Sequence, residues 1–345
     1  RFSRRQVVRN AVVIRADGML LMAGAPFASP GSLTAVLPDG REFPAELLAA
    51  DTQTALTLLR VRAAHLRPLA LRIEPQSKET KPKETKPKAS PKDAAPPGRE
   101  AKDAPKAKKP LPAARPLVAG QVAPLRYAPL GLRVVMVTSD GSVAVGAVRA
   151  HRRYGTLVDP RTRRPLPTTG LLGAALAVVD EDVGAPFLDP QGRLVGLMVG
   201  RKSVVAPEKG EAAAGVGLRM RPTTREAVAV PASVIALVWP LLERFRRVPR
   251  AALGVRTLAM DDVLRAQLSL ETGGHVVQTV TPGGPAARAR LELHDVIVGN
   301  DGRSIEPGAT LHDCLLPNRP GASVKLDIFR AGDRVSAELR LEELR

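Results

Sequence analysis

Residues 75–116 read PQSKETKPKETKPKASPKDAAPPGREAKDAPKAKKPLPAARP, and this run limits the fold more than any other. KETKPKETKPK repeats a five-residue unit of Lys, Glu, Thr and Pro and offers no apolar side chain to bury. Without burial, nothing offsets the entropy of ordering the chain, so the segment is expected to be disordered or partly extended polyproline. A spacer is its plainest role, and a tether for polyanions is the other. Any packed structure must therefore be assembled from the residues on either side of it.

Those flanks are long enough for two to three domains in a chain of 345 residues. Aromatic residues are only 3 %, so the cores must be built from Val, Leu and Ala. No stretch approaches the ~20 uninterrupted apolar residues of a membrane span, ASVIALVWPLL (232–242) being the longest. The chain opens on Arg rather than Met, so further sequence upstream is expected. The single cysteine, Cys314, excludes an internal disulfide.

The formal charge of +18 is unevenly spread. Residues 1–74 carry 10 basic and 6 acidic groups, and 75–116 carry 12 and 5. Residues 117–247 carry 18 and 10, whereas 248–345 carry 12 and 13. A positive field attracts polyanions such as nucleic acid or an anionic envelope polymer. Its densest cluster is Arg149, Arg152, Arg153, Arg161, Arg163 and Arg164, with His151 beside it. Tyr154 is the one ring there able to stack on a base, so a solvated basic loop is the stronger reading.

Residues 11–73 alternate short β-branched and Leu-rich runs with turn signals at Ala-Asp-Gly (16–18) and Pro-Asp-Gly (38–40). That rhythm predicts antiparallel strands of a small barrel. Strand-like runs resume at 132–140, 142–150, 176–182 and 193–200. Within 225–247, Pro231 suits a helix start, and Val234, Val238, Leu241, Leu242 and Phe245 are spaced to form one buried face. Pro240 should kink that helix or restart it.

GREFPAELLAADTQTALTLLRV (40–61) and GAPFLDPQGRLVGL (184–197) together resemble the HtrA/Deg family of trypsin-like serine proteases, which carry C-terminal PDZ domains. The resemblance implies a mainly β fold: a chymotrypsin/trypsin-like double β-barrel followed by an α+β PDZ domain. It divides the chain into a half-barrel (1–74), the insert (75–116), a second half-barrel with connecting helix (117–247) and a PDZ domain (248–345). The family's triad Asp falls on Ala55, its His on Ala25 and its nucleophile Ser on Val183. Glu181 stands where an oxyanion-hole Gly is usual. A triad needs a nucleophile, a base and a carboxylate to orient the base, and alanine and valine supply none of them. A carboxylate beside a developing oxyanion would also oppose it. The expectation is a protein that is not an enzyme. The competing reading is a triad assembled elsewhere, from among His65, His151, His275, His294 and His312, although no G-x-S-x-G occurs.

PGGPAARARLELHDVI (282–297) resembles the PDZ signature PGSPAAKAGLKPGDVI, with Arg290 and His294 at usual glycine positions. Both should be strained if the backbone there needs positive φ. The resemblance implies strand addition of a partner's C-terminus, with backbone N–H groups at Leu253, Gly254 and Val255 capturing the carboxylate. Leu311 and Leu315 would form the facing helical wall, or would simply be core. Cys314 is expected to be a small buried apolar residue, and His312 to face solvent.

Three functions follow. The first is a catalytically inactive HtrA-like scaffold, adaptor or regulator that binds protein C-termini or extended peptides. The second is an active serine endopeptidase with non-standard catalytic residues. The third is a basic protein docking on nucleic acid or an anionic surface. Family habit implies a homo-oligomer, a trimer, and the bacterial periplasm; an active protease paralogue is the alternative partner. No cofactor or metal is expected.

Overall fold

A computed structural model describes residues 8–23, 33–72, 128–138, 141–152, 170–205, 222–306 and 309–344. The Lys/Pro-rich insert, Ala25 and most of the basic cluster around Tyr154 lie outside them. Five strands open the chain: β1 (Ala11–Arg15), β2 (Met19–Ala23), β3 (Leu33–Val36), β4 (Glu42–Asp51) and β5 (Leu56–Val61). They form one antiparallel sheet in the order β1-β2-β5-β4-β3. β2 is buried on both faces, as its continuous MLLMA run requires. Gly18 closes the β1–β2 hairpin at φ 95°, where an added Cβ would lie 2.0 Å from the Val61 carbonyl oxygen.

The next six strands close into a barrel. They are β6 (Arg133–Val137), β7 (Val143–Arg152), β8 (Leu171–Ala175), β9 (Pro186–Leu188), β10 (Leu194–Val205) and β11 (Pro222–Pro231), in the order β10-β11-β8-β7-β6-β9. Val134, Met136, Leu172, Phe187 and Met198 fill its interior. Among the described residues Phe187 is the largest fully buried side chain, so with few aromatics the core depends on Leu, Val and Met. Arg72 and Arg193 both bond the buried Asp189 carboxylate, fastening the end of the first sheet to the β9–β10 turn. Burial opposes the charge on Asp189, but the Arg193 N–H groups, Arg72 and the Gln191 N–H outweigh it and hold its pKa below the usual carboxylate range.

Helix α1 (Ala232–Phe245) follows, with Pro231 as its extended N-cap. It runs unbroken through Pro240 and ends on Arg246 in the left-handed region. Val234, Ile235, Val238 and Leu242 are buried as the spacing requires, but Phe245 is 40 % exposed. Its place in the last turn puts it beyond the surface that α1 covers, and the Arg244 guanidinium lies over its ring instead.

The C-terminal domain holds β12 (Ala251–Ala252), β13 (Val255–Ala259), α2 (Asp262–Gln267), β14 (His275–Val280), α3 (Pro285–Arg288), β15 (Val296–Asn300), β16 (Arg303–Ser304), α4 (Leu311–Leu315), β17 (Ser323–Arg330), β18 (Asp333–Arg340) and β19 (Glu342–Glu343). Its sheet runs β13-β14-β15-β17-β18, with β16 on β15, and β12 pairs with β19. β13 is therefore an edge strand. Arg290 and His294 adopt φ 56° and 69°, the left-handed geometry that glycine would hold without strain.

Candidate functional site

The turn between β4 and β5 is set by Asp51, whose Oδ2 accepts the Thr54 N–H at 2.9 Å and the Thr54 hydroxyl. This side-chain turn drives Ala55 to φ 51° and buries its methyl beside Leu56, Leu58 and Leu197. Val183 follows the short 3₁₀ turn Asp180–Asp182, which Asp182 closes by accepting the Val179 N–H at 2.8 Å. Gly184 then takes φ 92°, and a Cβ there would meet the Asn10 carbonyl oxygen at 2.2 Å. Only glycine lets the two segments come this close. At positions 55 and 183 the structure presents hydrocarbon alone. Glu181 is exposed.

The described histidines are dispersed. His65 and His294 are exposed, His275 bonds the Ala309 carbonyl, and His312 bonds Arg250. Among the described residues, no group of three His, Cys, Asp or Glu could hold a metal.

The second candidate site is built around Gly254. At φ 73°, Gly254 turns the chain between β12 and β13. Its carbonyl accepts the Thr281 N–H at 2.8 Å, and the Leu253 carbonyl accepts the Ala286 N–H at 2.9 Å. The loop is thus pinned against the start of α3. Leu253 and Leu315 are core residues, 2 % and 5 % exposed, while Val255 and Leu311 are partly buried against the same cluster. These four side chains belong to one hydrophobic cluster. Among the described residues, no strand pairs with the outer edge of β13.

Helix α4 is too short to hold itself, so its ends are tied down. Thr310 and Asp313 form a reciprocal cap: Thr310 Oγ1 accepts the Asp313 N–H at 2.8 Å, and Asp313 Oδ2 accepts the Thr310 N–H at 3.1 Å. Asp313 Oδ1 accepts the Gly170 N–H of the barrel at 2.8 Å. Burial raises the Asp313 pKa against the pull of these bonds. Cys314 is partly buried on the same helix, and desolvation pushes its thiol up to about 12, so it behaves as an inert filler.

A further tie was not foreseen. Arg250 donates to Asp51 Oδ2 at 2.7 Å and, through Nε, to His312 Nε2 at 3.2 Å. His312 therefore does not face solvent as expected. Burial first, and the Arg250 charge second, lower its pKa to about 4, with Asp51 opposing. The ring is neutral at pH 7, its Nε2 lone pair turned to the guanidinium. The T-x-x-D spacing of Thr310 and Asp313 could have revealed the cap. Nothing local to Arg250 reveals its two partners.

The five-stranded sheet, the closed barrel and the domain built on an open edge strand define a mainly β, trypsin-like architecture with a C-terminal PDZ domain. Residues 252–341 match the PDZ domain family model. A probable periplasmic serine endoprotease, DegP-like, of Halomonas elongata is 23 % identical over 333 residues, covering 95 % of this chain and 55 % of that protein. The periplasmic pH-dependent serine endoprotease DegQ of Escherichia coli is 26 % identical over 161 residues, 46 % of this chain and 32 % of DegQ. Among solved structures, an HtrA-type protease AlgW with tripeptide has a TM-score of 0.59 at 20 % identity, covering 97 % of this chain and 89 % of that one. The chain is a homologue of the HtrA/DegP serine proteases. It spans between about a third and about half of the length of these curated relatives.

These relatives correct one expectation. The chain was expected not to be an enzyme, yet the proteins it aligns with are named serine endoproteases, in one case along 95 % of its length.

Proposed function

We propose that the chain captures extended protein C-termini in the groove between β13 and α4, as the recognition part of an HtrA-type periplasmic protein. The observation that carries this reading is the edge of β13, just after Gly254, with which no strand pairs among the described residues. An incoming strand can complete the ladder there, and the turn at 253–255 offers backbone N–H groups to a terminal carboxylate. The AlgW structures with tripeptide and decapeptide support it by likeness of fold. Fluorescence anisotropy with a decapeptide ending in valine as free acid is expected to give micromolar affinity. Its C-terminal amide should bind at least tenfold more weakly, as should Gly254→Glu with the acid. Equal affinity for acid and amide would remove the reading. The periplasm is proposed as the location from the names of the relatives.

Those names also carry a second reading, an endopeptidase whose reactive groups are not the side chains at 25, 55 and 183. Casein turnover that stops on labelling by a serine-directed phosphonate, with the adduct mapped to a serine elsewhere, is the expected result. Turnover that continues after stoichiometric labelling would refute a serine mechanism.

A further inference from the structure

β13 alternates along its length. Val255, Thr257 and Ala259 are partly buried, while Arg256 and Leu258 are exposed, Leu258 to 58 %. The Arg256 side chain makes no ion pair or hydrogen bond among the described residues. Its register partner on β14, Thr279, is exposed and uncharged. An exposed cation and an exposed leucine thus stand two residues apart on an edge that no other strand pairs among the described residues.

A ligand would give them one, and this step rests on the groove reading above. With the terminal carboxylate at Gly254, the ligand chain must run back along β13 toward Ala259, antiparallel to it. Its last residue then lies opposite Val255, the penultimate opposite Arg256, the third from last opposite Thr257 and the fourth opposite Leu258. Directly opposed residues on paired strands project from the same face. The last and third-from-last side chains therefore turn inward toward α4, and the other two meet Arg256 and Leu258.

We infer that the groove selects C-termini with an acidic penultimate residue and an apolar residue two positions before it. An aspartate or glutamate opposite Arg256 forms a cross-strand ion pair, and a lysine there faces a like charge. The selectivity is local, because residues 248–345 carry 12 basic and 13 acidic groups and create no net positive field.

Anisotropy titrations of the full chain test this with three valine-terminated decapeptides that differ only in Asp, Ala or Lys at the penultimate position. The Asp peptide is expected to bind about threefold to fivefold tighter than the Ala peptide, and the Lys peptide weaker than both, with the differences shrinking in 0.5 M NaCl. Arg256→Glu should invert the order and Arg256→Gln should equalise the three. Because the Arg256 side chain is exposed and has no polar partner among the described residues, neither variant removes a contact that the described fold makes. Replacing an apolar fourth-from-last residue by Ser should weaken binding to the native chain but not to Leu258→Ser. Equal affinities for the three peptides, or an order unchanged in Arg256→Glu, would overturn the selectivity and leave the groove reading intact. Failure of all three peptides to bind would overturn the groove reading itself.

Discussion

At the scale of single residues, this chain repeatedly places side chains where the backbone favours glycine. His294 and Arg290 hold φ 69° and 56° on exposed turns of the PDZ signature, and Ala331 holds φ 49° in the β17–β18 hairpin. The left-handed region brings Cβ against the following carbonyl, costing roughly 1–2 kcal/mol, part of which a glycine loses again by loosening the unfolded chain. His294→Gly is therefore expected to stabilise by about 0.5–1 kcal/mol, read as a higher urea midpoint with unchanged slope. The hairpin allows a second test. Ala331 and Gly332 both have positive φ between the paired Arg330 and Asp333, the geometry of a type I′ turn, which favours Asn-Gly. Ala331→Asn should raise stability by a few tenths of a kcal/mol, and Ala331→Val should lower it by more than 1 kcal/mol. A valine variant as stable as the native chain would show that the turn adapts. Ala55 is a different case. Glycine there would relieve φ 51° but remove a buried methyl worth about 0.8 kcal/mol, so the two effects nearly cancel.

At the scale of elements, α4 shows what tertiary ties do for a five-residue helix. Asp313 receives two backbone N–H groups, one from its own cap and one from Gly170 across the barrel boundary. Asp313→Ala leaves both buried donors unmatched and is expected to cost about 2–4 kcal/mol. Thr310→Ala removes only the local cap and should cost about 1 kcal/mol. A Thr310 variant as damaging as the Asp313 variant would contradict the cross-boundary bond, and urea unfolding of the two separates the cases. The same elements show what the sequence discloses. Helix α1 was legible because Pro231 and the spacing of Val234, Val238 and Leu242 are local signals, while the exposure of Phe245 depends on where the neighbouring surface ends. The signature at 282–297 was legible down to the strain at Arg290 and His294. The burial of His312 was not, because its partner Arg250 lies 62 residues away and Asp51 a further 199 from Arg250. Contacts at such separations have no periodicity to read.

At the scale of the whole molecule, those three residues join the first β-sheet to the PDZ domain. Asp51 shapes the turn that carries Ala55, Arg250 opens the C-terminal domain, and His312 sits on α4. The Arg250–Asp51 pair is nearly dry, its side chains 9 % and 7 % exposed, so losing one partner would strand a buried charge at a cost of about 3–5 kcal/mol. His312 makes the junction sensitive to acid. Its pKa is about 4 in the folded protein and near 6.5 in the unfolded chain, so the unfolded state takes up the proton first. The stability this provides is complete above about pH 6.5 and drains away as pH falls toward 4. A protonated ring could no longer accept from Arg250 Nε and would face its charge, with Asp51 only partly compensating. Asp313, on the same helix, works in the opposite direction. Its raised pKa lets the native state bind a proton more readily and so moderates the loss. Replacing His312 by Gln keeps an acceptor for Arg250 but removes the titration. His312→Gln should therefore match the native chain within about 1 kcal/mol at pH 7.5 and exceed it by about 2 kcal/mol at pH 4.5, as measured by urea unfolding across that range. Parallel acid limbs in the two proteins would show that the junction tolerates a charged imidazole, and that the acid response arises from carboxylates such as Asp189 instead.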